Sequence, residues 1–153
     1  MPDHGLHRLL YFSRFGAPFP AAGPEQEEAI SGIIRTSMRN NRMVSVTGML
    51  LIHEGWFVQA LEGPADAVAT TYERIARDPR HEAVTTLASG PVERREFRDW
   101  NMCARRISNA DDAILDGLER DGRFDPARLT AETGLDLLTT IRDTQAETLG
   151  ALL

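Results

Sequence analysis

The chain has 153 residues, of which 42% are hydrophobic and 26% charged, and its formal net charge at pH 7 is −6. A chain of this length and composition can bury one sizeable core, so we expect a single globular unit. The arginines are scattered, with adjacent pairs only at Arg94-Arg95 and Arg105-Arg106. Such an acidic chain has no basic stripe for phosphate contacts, which argues against direct nucleic-acid binding.

Cysteine and histidine usage predicts neither disulfides nor a metal site. The single cysteine, Cys103, cannot form a disulfide within the chain. The histidines are not spaced as metal ligands; they are His4, His7, His53 and His81. No apolar run approaches the ~18 residues of a membrane span, and the first residues lack a signal-peptide pattern. We therefore expect a cytoplasmic protein without a membrane anchor.

Strand and helix signals alternate along the first 107 residues. Pro24 followed by Glu25 is typical of a helix start, because proline suits the first helical position and a carboxylate there favours the helix dipole. Gly63-Pro64 opens a second helix, which should stop near residues 78–79. The predicted strands cover residues 6–13, 46–52, 56–61, 83–88 and 100–107, and the first helix reaches Asn41.

The order β-α-β-β-α-β-β predicts an α+β fold of the ferredoxin-like type, with two helices on one face of the sheet. In that fold the third strand fills the gap left by the first crossover, so strands one and three become neighbours. Residues 111–119 and 135–152 predict C-terminal helices, and the apolar face of the second is compatible with a homo-oligomer. We divide the chain into a sheet domain, 1–107, and a C-terminal helical extension, 108–153.

Gln59 is an amide in the middle of an otherwise apolar predicted strand. Burying an unpaired amide costs roughly 1–3 kcal/mol, so Gln59 should have a polar partner. Tyr11 on the neighbouring strand is within reach, and a helical stripe that includes Ser37 and Asn41 is directed at the same space. One phenol and two carboxamides, without a strong nucleophile, general base or metal ligand, suit a planar heteroaromatic ring better than hydrolysis.

Each of these residues also has an ordinary structural interpretation. Asn41 would serve as a helix C-cap, Tyr11 as a core residue with its hydroxyl at the rim, and Gln59 as a partner of a loop carbonyl. The residues alone leave both interpretations open.

Five separated motifs resemble the BLUF family of flavin-binding blue-light sensors. They are LLYFS at 9–13, SMRNN at 37–41 with VTGML at 46–50, FVQALEG at 57–63, DPRH at 78–81 and WNM at 100–102. The resemblance covers about residues 6–107, and the remainder is similar by position to the C-terminal cap of short single-domain BLUF proteins. Asn101 departs from the family, in which serine is usual at that position.

The resemblance implies that FAD is held between the two helices, with FMN or riboflavin also accepted. Tyr11 then corresponds to the tyrosine that donates an electron and a proton to the excited flavin, and Gln59 to the glutamine that bridges the two. Asn41 corresponds to an asparagine at the ring edge. The other implied pocket residues are Asn40, Ser37, Ile33, Phe57, Leu50 and Ile75, with Asp78, Arg80 and His81 near the ribityl and phosphate end.

The resemblance also implies how a signal would leave the pocket. Trp100 and Met102 correspond to the pair whose rearrangement passes the signal, and either of them could be the one beside Gln59. Rewired hydrogen bonds of Gln59 would then be communicated in trans to a downstream signalling protein, so we expect a photosensory protein and not an enzyme.

Two alternative functions remain on the same kind of sheet. One is a ferredoxin-like interaction module that binds no flavin. The other is an acylphosphatase-like hydrolase, which would need an arginine in a phosphate-binding loop after the first strand. Residues 14–23 carry one arginine among prolines and phenylalanines, so this alternative is the weaker.

Overall fold

The structure, a computed structural model, describes residues 5–17, 20, 23–98, 119–120 and 123–152. Its elements are β1 (Leu6–Phe15), α1 (Gly23–Met43), β2 (Thr47–His53), β3 (Trp56–Pro64), α2 (Ala65–Arg77), β4 (His81–Pro91), β5 (Glu119–Arg120), β6 (Arg123–Phe124), a 3₁₀ turn (Pro126–Arg128) and α3 (Ala131–Leu152). The predicted strand 100–107 and residues 111–118 of a predicted helix lie outside the described residues.

The first four strands form one antiparallel sheet in the order β2-β3-β1-β4. β3 lies between β1 and β2, as the split crossover of a ferredoxin-like fold requires. Its register against β1 places Leu9 opposite Leu61 and Tyr11 opposite Gln59. The predicted fold class and the predicted neighbourhood of strands one and three are therefore confirmed.

Both predicted helices pack on one face of this sheet. Ile30 and Ile33 of α1 contact Phe57 at one end of β3, whereas Val68 of α2 packs with Leu61 near the other end. Gln59 lies between these two positions on the same face, because side chains alternate along a strand. The two helices therefore flank the stretch of sheet that carries the buried amide.

The C-terminal helix α3 covers the opposite face. Leu137, Leu138 and Ile141 pack against Val58 and Ala60 of β3 in the largest apolar cluster. With helices on both sides, β2 and β3 are buried on both faces, which explains why their sequences read as nearly continuous apolar runs. No helix in the described parts of the chain has the length and apolar character needed to cross a membrane.

Two predicted elements differ from the structure. The predicted strand 83–88 is too short, since β4 runs from His81 to Pro91. β4 has β1 on one side and exposes many side chains, so its apolar signal is weak, and proline is tolerated near a strand end. Glu119 was predicted as the end of a helix, but it pairs with Phe124 in the short β5–β6 ladder.

The start of α3 also lies earlier than the predicted residue 135. Thr130 caps the helix, because its Oγ1 accepts a hydrogen bond from the backbone N–H of Thr133 at 3.1 Å. In return the Thr133 hydroxyl accepts the backbone N–H of Thr130 at 2.8 Å. This reciprocal arrangement resembles a capping box with threonine in place of glutamate, which the apolar periodicity alone does not reveal.

Candidate functional site

The centre of the site is a hydrogen bond between two side chains that face each other across β1 and β3. Tyr11 and Gln59 are directly opposite in the ladder, and the Tyr11 hydroxyl donates to Oε1 of Gln59 at 2.5 Å. Tyr11 is 0% exposed and Gln59 3% exposed. A hydrogen bond in such a low-dielectric interior is electrostatically stronger than the same bond in water. The structure thus brings the two sequence-predicted polar residues together.

Gln59 keeps hydrogen-bonding capacity that the described residues do not use. Its Oε1 accepts the Tyr11 proton, but no atom of the described residues accepts a hydrogen bond from its Nε2. A carboxamide nitrogen has two N–H donors, and leaving buried donors unpaired costs roughly 1–3 kcal/mol. A ligand carbonyl or ring nitrogen beside Gln59 would remove this cost, so the residue is suited to a flavin ring edge.

Aromatic rings surround this pair. The Tyr72 ring of α2 lies 5.6 Å from the Tyr11 ring, measured between centroids. The imidazole of His81, at the start of β4, lies 4.5 Å from the Phe57 ring and 6.4 Å from the Tyr11 ring. Rings at these distances give Tyr11 a mostly aromatic surround, of the kind that lines binding sites for planar ligands.

His81 is fixed by a hydrogen bond to β1. Its Nδ1 lies 2.8 Å from the hydroxyl oxygen of Ser13. Burial lowers the pKa of His81 from 6.5 to about 4, although the nearby Asp78 carboxylate partly opposes this shift. The imidazole is therefore neutral at pH 7 and adds polar atoms to the site without adding charge.

Asp78 and Arg80 form an ion pair in the turn between α2 and β4. Arg80 donates to both carboxylate oxygens, with its Nη2 2.6 Å from Oδ2 and its Nε 3.0 Å from Oδ1. Burial raises the pKa of Asp78, but the hydrogen bonds from the Arg80 side chain and backbone outweigh it, and the net shift is downward. The predicted phosphate-end residues thus form a rigid pair in which the Arg80 guanidinium already has a carboxylate partner.

This turn is held against the end of β1 by a close backbone approach at Gly16. The Gly16 backbone N–H donates to the Arg80 carbonyl at 2.8 Å. A Cβ at Gly16 would lie 1.9 Å from the carbonyl oxygen of Pro79, so only glycine fits without moving the turn. The sequence feature that positions Arg80 and His81 is therefore a glycine in the loop after the first strand.

The apolar members of the predicted pocket belong to two clusters on the face of the sheet that α1 and α2 cover. Ile33, Leu50 and Phe57 share one buried cluster, and Ile75 is partly buried beside the cluster that contains Tyr11. Asn40 is partly exposed on α1. For Ser37 and Asn41 the structure describes the backbone within α1 only, and Trp100 and Met102 lie outside the described residues.

Three further residues were not predicted as site residues, two of them beside the site and the third, Glu62, on the opposite face of β3. Ser13 lies within hydrogen-bonding distance of His81, and the Phe15 ring packs against the Phe57 ring with 4.8 Å between centroids and 42° between planes. Glu62 lies on β3 with its side chain 0% exposed. Strand alternation offered a signal for Glu62, because it follows Val58 and Ala60 at period two and should therefore point into the core.

Comparisons with known proteins agree with this geometry. The sequence profile of the family described as "BLUF: Sensors of blue-light using FAD" matches residues 6–103. Photoactivated adenylate cyclase subunit beta of Euglena gracilis is 42% identical over 101 residues, and subunit alpha of that organism is 30% identical over 104 residues. These stretches are 65% and 68% of this chain but only 11% and 10% of the relatives, so the chain spans a small part of their length.

Solved structures give the same fold. The dark state of BlrB, a BLUF protein, superposes with a TM-score of 0.70 at 29% identity, covering 94% of this chain and 98% of that one. A bacterial light-regulated adenylyl cyclase superposes with a TM-score of 0.63 at 28% identity, covering 71% of this chain and 32% of that one. The photo-activated state of BlsA gives 0.76 at 20% identity, over 89% and 94% of the two chains, a similarity of fold alone.

Proposed function

This chain belongs to the BLUF family of sensors of blue light using FAD, and from that premise we propose that Tyr11 and Gln59 form its light-responsive pair. Residues 6–103, where the family profile matches, are a photosensory module and not an enzyme, as predicted. The family uses FAD, and we propose that this chain binds FAD and also accepts FMN or riboflavin.

One observation carries the proposal most directly. The buried Tyr11 hydroxyl donates to Gln59 at 2.5 Å, and the amide nitrogen of Gln59 has no acceptor among the described residues. A tyrosine, a bridging amide and an unused donor in an aromatic surround are the groups needed to move a proton toward a bound ring. These groups are therefore better explained by a flavin-binding site than by an ordinary apolar core.

The bound flavin would supply absorption of blue light and an excited state that accepts an electron. Tyr11 would supply that electron and release its hydroxyl proton to Oε1 of Gln59, while Gln59 releases a proton from Nε2 toward the ligand. When the electron and the proton return to Tyr11, Gln59 would be left in another tautomer or rotamer. Its changed hydrogen bonding to Tyr11 and to the ligand would be the stored signal.

The neutral state of His81 supports this assignment. Because its pKa is about 4, it places no positive charge beside Tyr11 and Phe57 at neutral pH. A fixed cation there would repel the positive charge that develops on the Tyr11 phenol when it loses an electron, and so would oppose its oxidation. Burial of His81 against Ser13 thus keeps the surroundings of the electron donor uncharged.

We further propose that the signal passes to a separate downstream signalling protein. Curated relatives are named photoactivated adenylate cyclases, and one similar structure is a light-regulated adenylyl cyclase, so an effector of the signalling class is a reasonable partner. On this chain the face of the sheet away from the two flanking helices carries α3, whose partly exposed outer side offers a contact surface.

The decisive test is the absorption spectrum of the purified, flavin-loaded chain before and after blue light. We expect a flavin band that moves slightly to the red and recovers in the dark, and we expect Gln59→Leu to abolish the movement. A flavin band that does not move would contradict the photoreceptor proposal. A chain that cannot be loaded with flavin would favour the interaction-module alternative.

A further inference from the structure

β3 carries a second polar pair, three residues beyond Gln59 and on the opposite face. Arg8 and Glu62 are directly opposite in the β1–β3 ladder, and Nε of Arg8 lies 2.7 Å from Oε2 of Glu62. Glu62 is completely buried, whereas the Arg8 side chain is 16% exposed. The same two strands therefore hold the Tyr11–Gln59 pair toward α1 and α2 and the Arg8–Glu62 pair toward α3.

Glu62 binds the segment that follows β4. Its Oε1 accepts the backbone N–H of Phe97 at 2.8 Å, and its Oε2 accepts the backbone N–H of Glu96 at 3.0 Å. A buried carboxylate that accepts backbone N–H bonds forms strong, charge-assisted contacts. Residues 93–98, which we call the post-β4 segment, are thus anchored to β3 in part through the Glu62 side chain.

The post-β4 segment in turn contacts α3. Arg142 of α3 donates through Nη1 to the carbonyl oxygen of Glu96. Its guanidinium carbon also lies 5.5 Å from the centre of the Phe97 ring, a cation–π distance. Phe97 itself is 0% exposed and belongs to the cluster that holds Leu137, Leu138 and Ile141. Position and packing of α3 therefore depend on where residues 96–97 lie.

We propose that Glu62 and Arg142 are positioning residues that couple the Tyr11–Gln59 pair to the C-terminal helix. This inference rests on the proposed function and adds the route by which the signal crosses the sheet. A rearrangement at Gln59 displaces β3 relative to β1, and the displacement changes the geometry at Arg8 and Glu62 in the same ladder. Glu62 then moves the post-β4 segment, and Arg142 transfers the change to α3.

The first step passes through the β1–β3 ladder, and each later step uses a direct contact between described residues. Arg95 holds the same segment independently, since it donates to the carbonyls of Glu62 and Ser45 at 2.9 Å each. Loss of the Glu62 charge should therefore loosen the segment without detaching it. For this reason the variant Glu62→Gln, which keeps the shape of the side chain, is preferable to alanine.

The test measures hydrogen exchange of residues 131–152 in the flavin-loaded full chain, in darkness and under continuous blue light, together with the flavin spectrum. In the wild type we expect both the red shift and a light-dependent change of exchange in α3. Glu62→Gln and Arg142→Gln should keep the red shift and lose the change in α3. Matched controls at exposed positions, Glu132→Gln and Arg128→Gln, should keep both responses.

The outcomes separate the inference from the proposed function. A wild type without a red shift contradicts the proposed function itself. If the wild type shows the red shift but no light-dependent change of hydrogen exchange in α3, the coupling is overturned and the photoreceptor proposal stands. The same holds if Glu62→Gln shows the same light-dependent change of exchange as the wild type. If Glu62→Gln does not fold, Arg142→Gln decides, because its side chain is 22% exposed and removable with less disturbance.

Discussion

Each face of the sheet carries a buried polar side chain, and the two side chains differ in how fully they are hydrogen-bonded. Toward α3, the buried carboxylate of Glu62 accepts three hydrogen bonds, from Arg8, Glu96 and Phe97. Toward α1 and α2, Gln59 accepts one hydrogen bond from Tyr11 and keeps an amide nitrogen without an acceptor among the described residues. Full hydrogen bonding of Glu62 fixes the structure on its face, whereas an amide nitrogen without an acceptor among the described residues is what the proposed flavin site on the other face requires.

The largest expected effect comes from Tyr11→Phe, which tests whether the α1/α2 face is the functional one. The variant removes the donor to Gln59 and keeps the ring, so flavin should still bind while the light-induced red shift is lost completely. Illuminated difference spectra measure this. Tyr72→Phe is the matched control, because that hydroxyl contacts Thr86 at 2.7 Å and not Gln59. A normal photocycle in Tyr11→Phe would contradict the role assignment.

The next largest effect tests whether the face of the sheet covered by α3 contributes to stability and not to the light response. Leu138 is 0% exposed in the cluster between α3 and the sheet. Leu138→Ala removes buried methyl groups and leaves a cavity, so the free energy of unfolding should fall by about 2–5 kcal/mol. Denaturant unfolding measures it, and the red shift of the folded variant should persist. Glu132→Ala, exposed on the same helix, should change stability little, and equal losses in both variants would refute the assignment.

A smaller effect concerns the pH dependence of stability on the α1/α2 face. The pKa of His81 falls from 6.5 to about 4 on folding, so the unfolded chain takes up the proton first as the pH falls. Stability should therefore decrease as the pH drops from about 7 toward 4, by up to about 3 kcal/mol from this group. His81→Gln should remove that component. Unfolding of flavin-free protein at pH 8 and pH 4.5 measures the difference, and identical pH slopes would contradict the buried neutral histidine.

The smallest expected effect on stability concerns the ion pair between Asp78 and Arg80 in the turn between α2 and β4. Arg80 and Asp78 are 38% and 21% exposed, so solvent screens their attraction. Asp78→Asn should lower the free energy of unfolding by under about 1 kcal/mol. A double-mutant cycle with Arg80→Gln measures the pair, and the exposed Arg35–Glu28 pair, 3.4 Å apart, serves as the comparison. A coupling of several kcal/mol would show that this turn is part of the core.

Much of the fold follows from local patterns. The apolar runs at 46–52 and 56–61, the Pro24-Glu25 start and the stop near residue 78 predict β2, β3, α1 and α2 within a few residues. Their order predicts the antiparallel sheet with β3 beside β1. β4 was predicted too short because most of its side chains face solvent, and solvent-facing positions carry little periodic signal.

A polar residue in the core at position 59, with Tyr11 within its reach, follows from the sequence, because strand order and side-chain alternation are local consequences of the chain. The register that sets Tyr11 opposite Gln59 and Arg8 opposite Glu62 is a property of the folded sheet. The contact of His81 with Ser13 and the contacts of Glu62 with residues 96–97 are likewise seen only in the folded chain. These contacts join positions far apart in sequence, and such pairings depend on how elements pack against one another, which no local pattern records.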